Sequence, residues 1–142
     1  LDLKSATDID ELVSECNLIV TTTSAKEPLI RADQVRKGTH ITAMGSDDHG
    51  KQELEAGVLQ MADRVVADSI SQCVDHGECF YPVRDSLMDA DAILELGNVI
   101  NTPEIGRTDD NQITVADLTG VAIQDIQIAK MVNDVLNPGE PV

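Results

Sequence analysis

One recurrence constrains the fold of this chain more than any other feature. Short β-branched runs alternate with stretches of helical periodicity. Leu18-Ile19-Val20-Thr21-Thr22-Thr23, His40–Met44, Arg64–Ala67 and Ile113–Ala116 read as strands. Runs of this kind suit a parallel sheet buried on both faces. Helical stretches lie between them. Thr7 or Asp8 caps one through about Cys16, with Ile9, Leu12 and Val13 on one face. A short helix near Ala32–Arg36 ends at Gly38. Others are expected at about Lys51–Ala62, from Ser69 through about His76, and at Asp89–Leu96. A long one runs from Thr119 to about Leu136. It carries Val121, Ala122, Ile128, Ala129, Val132 and Val135 on one face and is stopped by Asn137-Pro138-Gly139. Leu1–Lys4 is a further short candidate strand. Strands separated by helices predict an α/β fold, a partial Rossmann-like parallel sheet with flanking helices and a long C-terminal helix.

Composition narrows the function. The chain has 142 residues, so a single domain over residues 1–142 is expected. It carries 10 Lys+Arg against 26 Asp+Glu, a net charge of −16, with no Trp, one Tyr and one Phe. That leaves neither a basic footprint for phosphate backbones nor aromatic platforms for bases, so nucleic-acid partners are not expected. The same charge disfavours anionic membrane surfaces, and no apolar run is long enough to span a bilayer. A soluble, cytoplasmic protein is expected. Cys16, Cys73 and Cys79 show no C-x-x-C spacing and read as reduced thiols, Cys73 and Cys79 as packing residues.

In an open α/β sheet, ligands sit at the carboxyl ends of the strands. That rule selects Thr21–Ser24, Gly45–Asp48, Asp68-Ser69 and Asp117–Gly120. Turn chemistry accounts for any one of these alone. The loop Asp47-Asp48-His49-Gly50-Lys51 concentrates ionisable groups, and a carboxylate at a strand end can hold an amine or move a proton. Asp48 or Ser46 alternatively caps the following helix. Three ligands in one short loop are too few for a metal centre, and none is expected. His76 is read as closing a helix, and Arg107 as pairing with the carboxylates of the turn Thr108-Asp109-Asp110-Asn111. No G-x-G-x-x-G, Walker or G-x-S-x-G motif occurs in the sequence.

Four stretches resemble the ornithine cyclodeaminase/mu-crystallin family. They are Asn17–Ser24 with Glu27-Pro28; Lys37–Asp47; Gly50–Leu54 with Val65–Ser69; and Gly77-Glu78, Gly106-Arg107 and Ile113–Asp125. They run through nearly the whole chain, in order. The resemblance implies an NAD(P)-binding domain of a homodimeric parent enzyme. That enzyme oxidises an amino acid to an imine, cyclises or deaminates it, and returns the hydride. It implies Asp47 as the acid/base, with Lys51 near the nicotinamide. Thr21, Thr22, Thr23, Ser24 and Gly45 would line NAD or NADP, and Leu118, Thr119 and Gly120 would lie beside the nicotinamide. Ketimine reductases, alanine dehydrogenases and non-catalytic binders of the mu-crystallin type are relatives within the same resemblance.

Two departures matter. Leu118 stands where many cyclodeaminases have Ser, and the wording Ala116–Asp125 with Met44–Asp47 matches the ectoine-utilisation branch. The chain also begins at Leu1 as if in mid-fold. The resemblance therefore implies the second half of a Rossmann-type domain, without the amino-terminal dimerisation and substrate domain or the glycine-rich loop. Such a fragment is expected to be inactive alone, to bind cofactor weakly and to self-associate through an unpaired sheet edge.

Overall fold

The computed structural model describes residues 3–138. Its centre is a five-stranded, wholly parallel sheet in the order β1-β2-β5-β3-β4. The strands are β1 (Leu18–Thr21), β2 (His40–Ala43), β3 (Arg64–Ala67), β4 (Leu94–Glu95) and β5 (Thr114–Asp117). The last strand in sequence is the central one in space. The helices are α1 (Ile9–Glu15), α2 (Ala56–Met61), α3 (Ile70–His76), α4 (Phe80–Arg84), α5 (Leu96–Asn101) and α6 (Ala122–Leu136).

The register brings the strand ends into line. Thr21 pairs with Ala43, Ala43 with Asp117, and Asp117 with Ala67. Four chain segments therefore leave the sheet from one row. The ladder continues just past that row, where Met44 N donates to the Thr21 carbonyl and Leu118 N to that of Ala43, both at 2.9 Å. The core is aliphatic. Ile19, Ile41, Val65 and Val115 from the strands meet Val13, Ile30, Leu54, Val58 and Leu59 from the layers around them. Cys73 and Cys79 are buried in that core as free thiols.

Several local expectations hold. Asp8 caps α1 by accepting from Asp10 N at 2.9 Å. His76 is the last residue of α3 and Gly77 its cap.

Others are overturned by tertiary contacts. The helix expected over Lys51–Ala62 is confined to Ala56–Met61. Residues Glu53 and Leu54 are held out of it because their N–H groups donate to the Glu78 carboxylate, at 2.7 and 3.0 Å. Glu55, not Ser46 or Asp48, stands at the start of α2. The short helix expected near Ala32–Arg36 is instead a 3₁₀ turn, Ala32–Gln34, capped by extended Val35, and Gly38 takes its left-handed φ of +83° in a separate turn rather than ending that helix. The helix expected at Asp89–Leu96 is a 3₁₀ turn, Ala90–Ala92, followed by β4, which pairs with Val66 and Ala67. The Arg107 guanidinium donates to the carbonyls of Gly38 and Asp110 rather than pairing with carboxylates. Of the candidate strand Leu1–Lys4, Leu3 and Lys4 lie outside any strand, and Leu1 and Asp2 lie outside the described residues. Gly139 of the expected helix stop lies there too. The apolar stripe of α6 exists but is uncovered: Ile128, Val132 and Val135 are all at least half exposed.

Candidate functional site

The aligned strand ends put the loops Thr22–Ser24, Gly45–Lys51 and Leu118–Gly120 on one edge of the sheet. Thr22, Thr23 and Ser24 are exposed there, as are Asp47 and Gly120. Thr21 is not. Its side chain turns inward from the last residue of β1 and is buried.

The partner of Thr21 is a buried carboxylate that links two of the loops. Glu53 Oε2 accepts from Thr21 Oγ1 at 2.6 Å and from Gly45 N at 2.9 Å, while Oε1 accepts from Thr23 N at 2.5 Å. Glu53 is fully buried. One acid therefore satisfies donors from both strand-end turns. Gly45 is the residue that fits against it. A Cβ at that position would overlap the Thr23 carbonyl and the Glu53 carboxylate.

Behind Glu53 lie Glu78 and Asp117, both 1 % exposed. Glu78 accepts from the Glu53 and Leu54 N–H groups, and burial pushes its pKa up to about 8. Asp117 Oδ2 accepts from Cys79 N at 2.9 Å, while its other oxygen has no partner; burial raises this carboxyl too. Gly77 leaves room for it, since a Cβ there would stand 2.6 Å from Asp117 Oδ2. Burial also pushes the Cys73 and Cys79 thiols up, away from thiolate chemistry.

A fourth carboxylate holds the third loop. Asp68 Oδ1 accepts from Thr119 N at 3.3 Å and Thr119 Oγ1 at 3.2 Å, and Oδ2 accepts from Gly120 N at 2.8 Å. Gly120 has a φ of +83°, with no atom within 4 Å of where a Cβ would stand. The loop is thus anchored from below and open above.

Asp47 stands at the rim with its carboxylate ion-paired to Lys51. The hydrogen bond from Lys51 holds Asp47 below the usual carboxylate range and holds Lys51 above the usual amine range. Asp47 is therefore the proton-accepting form at neutral pH. Asp48 is turned to its own loop, accepting from His49 N at 2.8 Å.

An exposed edge rich in hydroxyls and N–H donors, with space over Gly120, fits the nicotinamide end of a dinucleotide. The G-x-G-x-x-G cradle for a pyrophosphate does not occur in this sequence. The structure brings Thr22, Thr23, Ser24, Gly45, Asp47, Lys51, Leu118, Thr119 and Gly120 to the same edge. Glu53 and Glu78 escaped the residue-by-residue reading. The available signal was an ionisable residue set directly against core positions, as in Glu53-Leu54 and Glu78-Cys79.

Comparison with known proteins places the chain in a family. The sequence profile of the Ornithine cyclodeaminase/mu-crystallin family matches residues 1–140. The chain is 40% identical over 130 residues to the uncharacterized cyclodeaminase y4tK of Sinorhizobium fredii, covering 91% of this chain and 39% of that protein. It is 39% identical over 123 residues to the alanine dehydrogenase of Archaeoglobus fulgidus, covering 86% and 38%. The crystal structure of the iminosuccinate reductase of Paracoccus denitrificans in complex with NAD+ superposes with a TM-score of 0.86 at 38% identity, covering 92% of this chain and 40% of that one. The chain thus spans about two fifths of the length of these relatives. On a match that runs through nearly all of its residues, the chain belongs to the ornithine cyclodeaminase/mu-crystallin family.

Proposed function

We propose that this chain forms the nicotinamide side of an NAD(P)-dependent enzyme that interconverts an amino acid and its imine. In the cyclodeaminase version of that chemistry, imine formation is followed by ring closure and loss of ammonia. One observation carries the reading: the register that lines up Thr21, Ala43, Asp117 and Ala67 sends the Asp47 loop and the two hydroxyl-bearing loops off the same edge. The alanine dehydrogenase and iminosuccinate reductase relatives support amino-acid or imine chemistry over other redox chemistry.

Asp47 takes the proton that the substrate amine must lose before the C–N double bond forms, and gives it back in the reverse direction. Lys51 holds that carboxylate in place. Thr22, Thr23 and Ser24 offer hydroxyls and N–H groups to the cofactor, and the Leu118–Gly120 loop flanks it with backbone rather than with a hydroxyl at position 118. Glu53 and Asp68 are positioning residues, each fixing a loop from within the protein. When bound, the nicotinamide accepts a hydride from the amino-acid Cα or returns it to the imine. We read the parent as a homodimer acting on a small amino acid, within the ectoine-utilisation branch, and this chain as the second half of its cofactor domain.

The test uses the protein as its gene encodes it. Ornithine, alanine, iminosuccinate and pyrroline-2-carboxylate are screened with NAD(H) and NADP(H), and Asp47→Asn is compared with wild type. The expected result is turnover on one of these, lost by about 10²–10⁴-fold in Asp47→Asn while cofactor affinity stays within a few fold. Cofactor binding without turnover on any substrate would favour a mu-crystallin-type binder. Absence of nicotinamide binding would sink both.

A further inference from the structure

A side-chain cluster beside this edge is not used by the chemistry above. His49, Asp75 and His76 each direct one ligand atom into the same small volume, all within 4.8 Å of one another. His49 comes from the loop after β2, and Asp75 and His76 from the last turn of α3. Asp75 Oδ2 stands 3.6 Å from His49 Nε2 and 3.1 Å from His76 Nδ1. Ligand bonds of about 2.0–2.1 Å in a tetrahedral zinc site place neighbouring donor atoms about 3.3 Å apart. The two measured separations bracket that value. The imidazole rings approach edge to face, 5.7 Å between centroids, rather than stacking.

The two segments are also tied together. Ser46 Oγ lies 3.1 Å from the Lys51 carbonyl and 3.4 Å from that of His76, which pins the His49 loop against the end of α3. Asp75 and His76 are neighbours in sequence, so bringing His49 onto them completes the set. No single loop could supply it, which is why the sequence alone argued against a metal.

We propose that His49, Asp75 and His76 form a binding site for a divalent transition-metal ion of the zinc class. Two imidazoles and one carboxylate are the donor set of an open zinc site, with a fourth position free for water or an anionic group. The chain's overall net charge of −16 favours a cation. His49 lies on the same loop as Asp47, but the site is independent of whether that residue moves a proton.

Zinc chloride is titrated into the metal-free protein, with the ring-proton NMR signals of the histidines and the binding heat as readouts. The signals of His49 and His76 are expected to shift together at one equivalent, and that of His40, on the far end of β2, to stay. Affinity is expected to fall at least roughly tenfold in each of His49→Ala, Asp75→Asn and His76→Ala. Cys16→Ala, which removes the one thiol outside the core, should leave it unchanged. Co²⁺ substituted for zinc should give the visible absorption of a tetrahedral site. Absence of saturable binding in the wild type overturns the proposal. So does zinc that moves all three histidine signals alike, or that binds the His49→Ala and His76→Ala variants as tightly as the wild type.

Discussion

The Glu53 carboxylate accepts the Thr21 hydroxyl at 2.6 Å across 32 residues of sequence, in a place with no access to water. The same carboxylate accepts from Thr23 N and Gly45 N. The end of β1 and the end of β2 are therefore held by one side chain. Replacing it with Ala leaves two buried donors, the Thr21 hydroxyl and Gly45 N, and the part-buried Thr23 N without this acceptor. Glu53→Ala is expected to lower the unfolding free energy by about 3 kcal/mol. Urea denaturation checks this, and an unchanged midpoint would show that the loops hold themselves.

Two glycines of the site should respond to the same substitution for different reasons. At Gly45 the added Cβ meets the Thr23 carbonyl and the Glu53 carboxylate, so the brace must move. At Gly50 there is open space, and only the φ of +79° resists. Gly50→Ala is expected to cost about 1 kcal/mol and Gly45→Ala about 2–3 kcal/mol. Gly45→Ala should also weaken nicotinamide binding, whereas Gly50→Ala should not. Thermal melts with and without cofactor separate the two, and equal effects would contradict the assignment of Gly45 to the site.

Asp68 holds the loop after β5 through Thr119 and Gly120. In Asp68→Ala those two amide hydrogens lose their acceptor. Their exchange with solvent is expected to speed up roughly tenfold or more, with little change at β2. Hydrogen exchange read by NMR measures it residue by residue. Exchange rates equal to wild type at Thr119 and Gly120 would remove Asp68 from the positioning residues.

His40 provides a pH test away from the site. Its ring lies between the Thr114 and Thr42 hydroxyls, 2.6 Å and 3.1 Å from them. Burial first, and the Arg107 charge second, lower its pKa. The unfolded chain then binds this proton more readily than the folded one. Its contribution to stability is present above about pH 6.5 and is lost as pH falls through the folded pKa. NMR titration of the ring proton should find a midpoint below 6.5. A midpoint at or above that value would contradict the desolvation of this half-buried ring.

Much of this architecture was legible in the chain. β-branched runs specify the parallel strands, and β3 falls on Arg64–Ala67 as read; the burial expected on both faces fails at β1, an edge strand whose Leu18 and Val20 stay exposed. Asp8 announced α1 because a short carboxylate can satisfy a free N–H at a helix start whatever surrounds it. The strand-end rule puts Asp47 and the Thr22–Ser24 loop on one edge, where the register also puts them. These features rest on interactions within a few residues, or on a rule that follows from parallel strands alone.

Contacts distant in sequence decided the rest. Residues 51–55 have helix-compatible side chains, yet the Glu78 carboxylate takes the N–H groups of Glu53 and Leu54 and keeps them extended. Leu94-Glu95 is a strand only because the edge of β3 lies beside it. The bonds of Glu53 to Thr21 and Thr23, those of Asp68 to Thr119 and Gly120, and the meeting of His49 with Asp75 and His76 depend on bringing together groups 25 or more residues apart. Local periodicity carries no information about such pairings. Sequence by itself determined four of the five strands among the described residues and which turns leave the sheet at their carboxyl ends, because those follow from local sterics and patterning. Tertiary structure alone decided which acidic side chains turn inward to brace that edge, because a buried polar group persists only where donors converge on it.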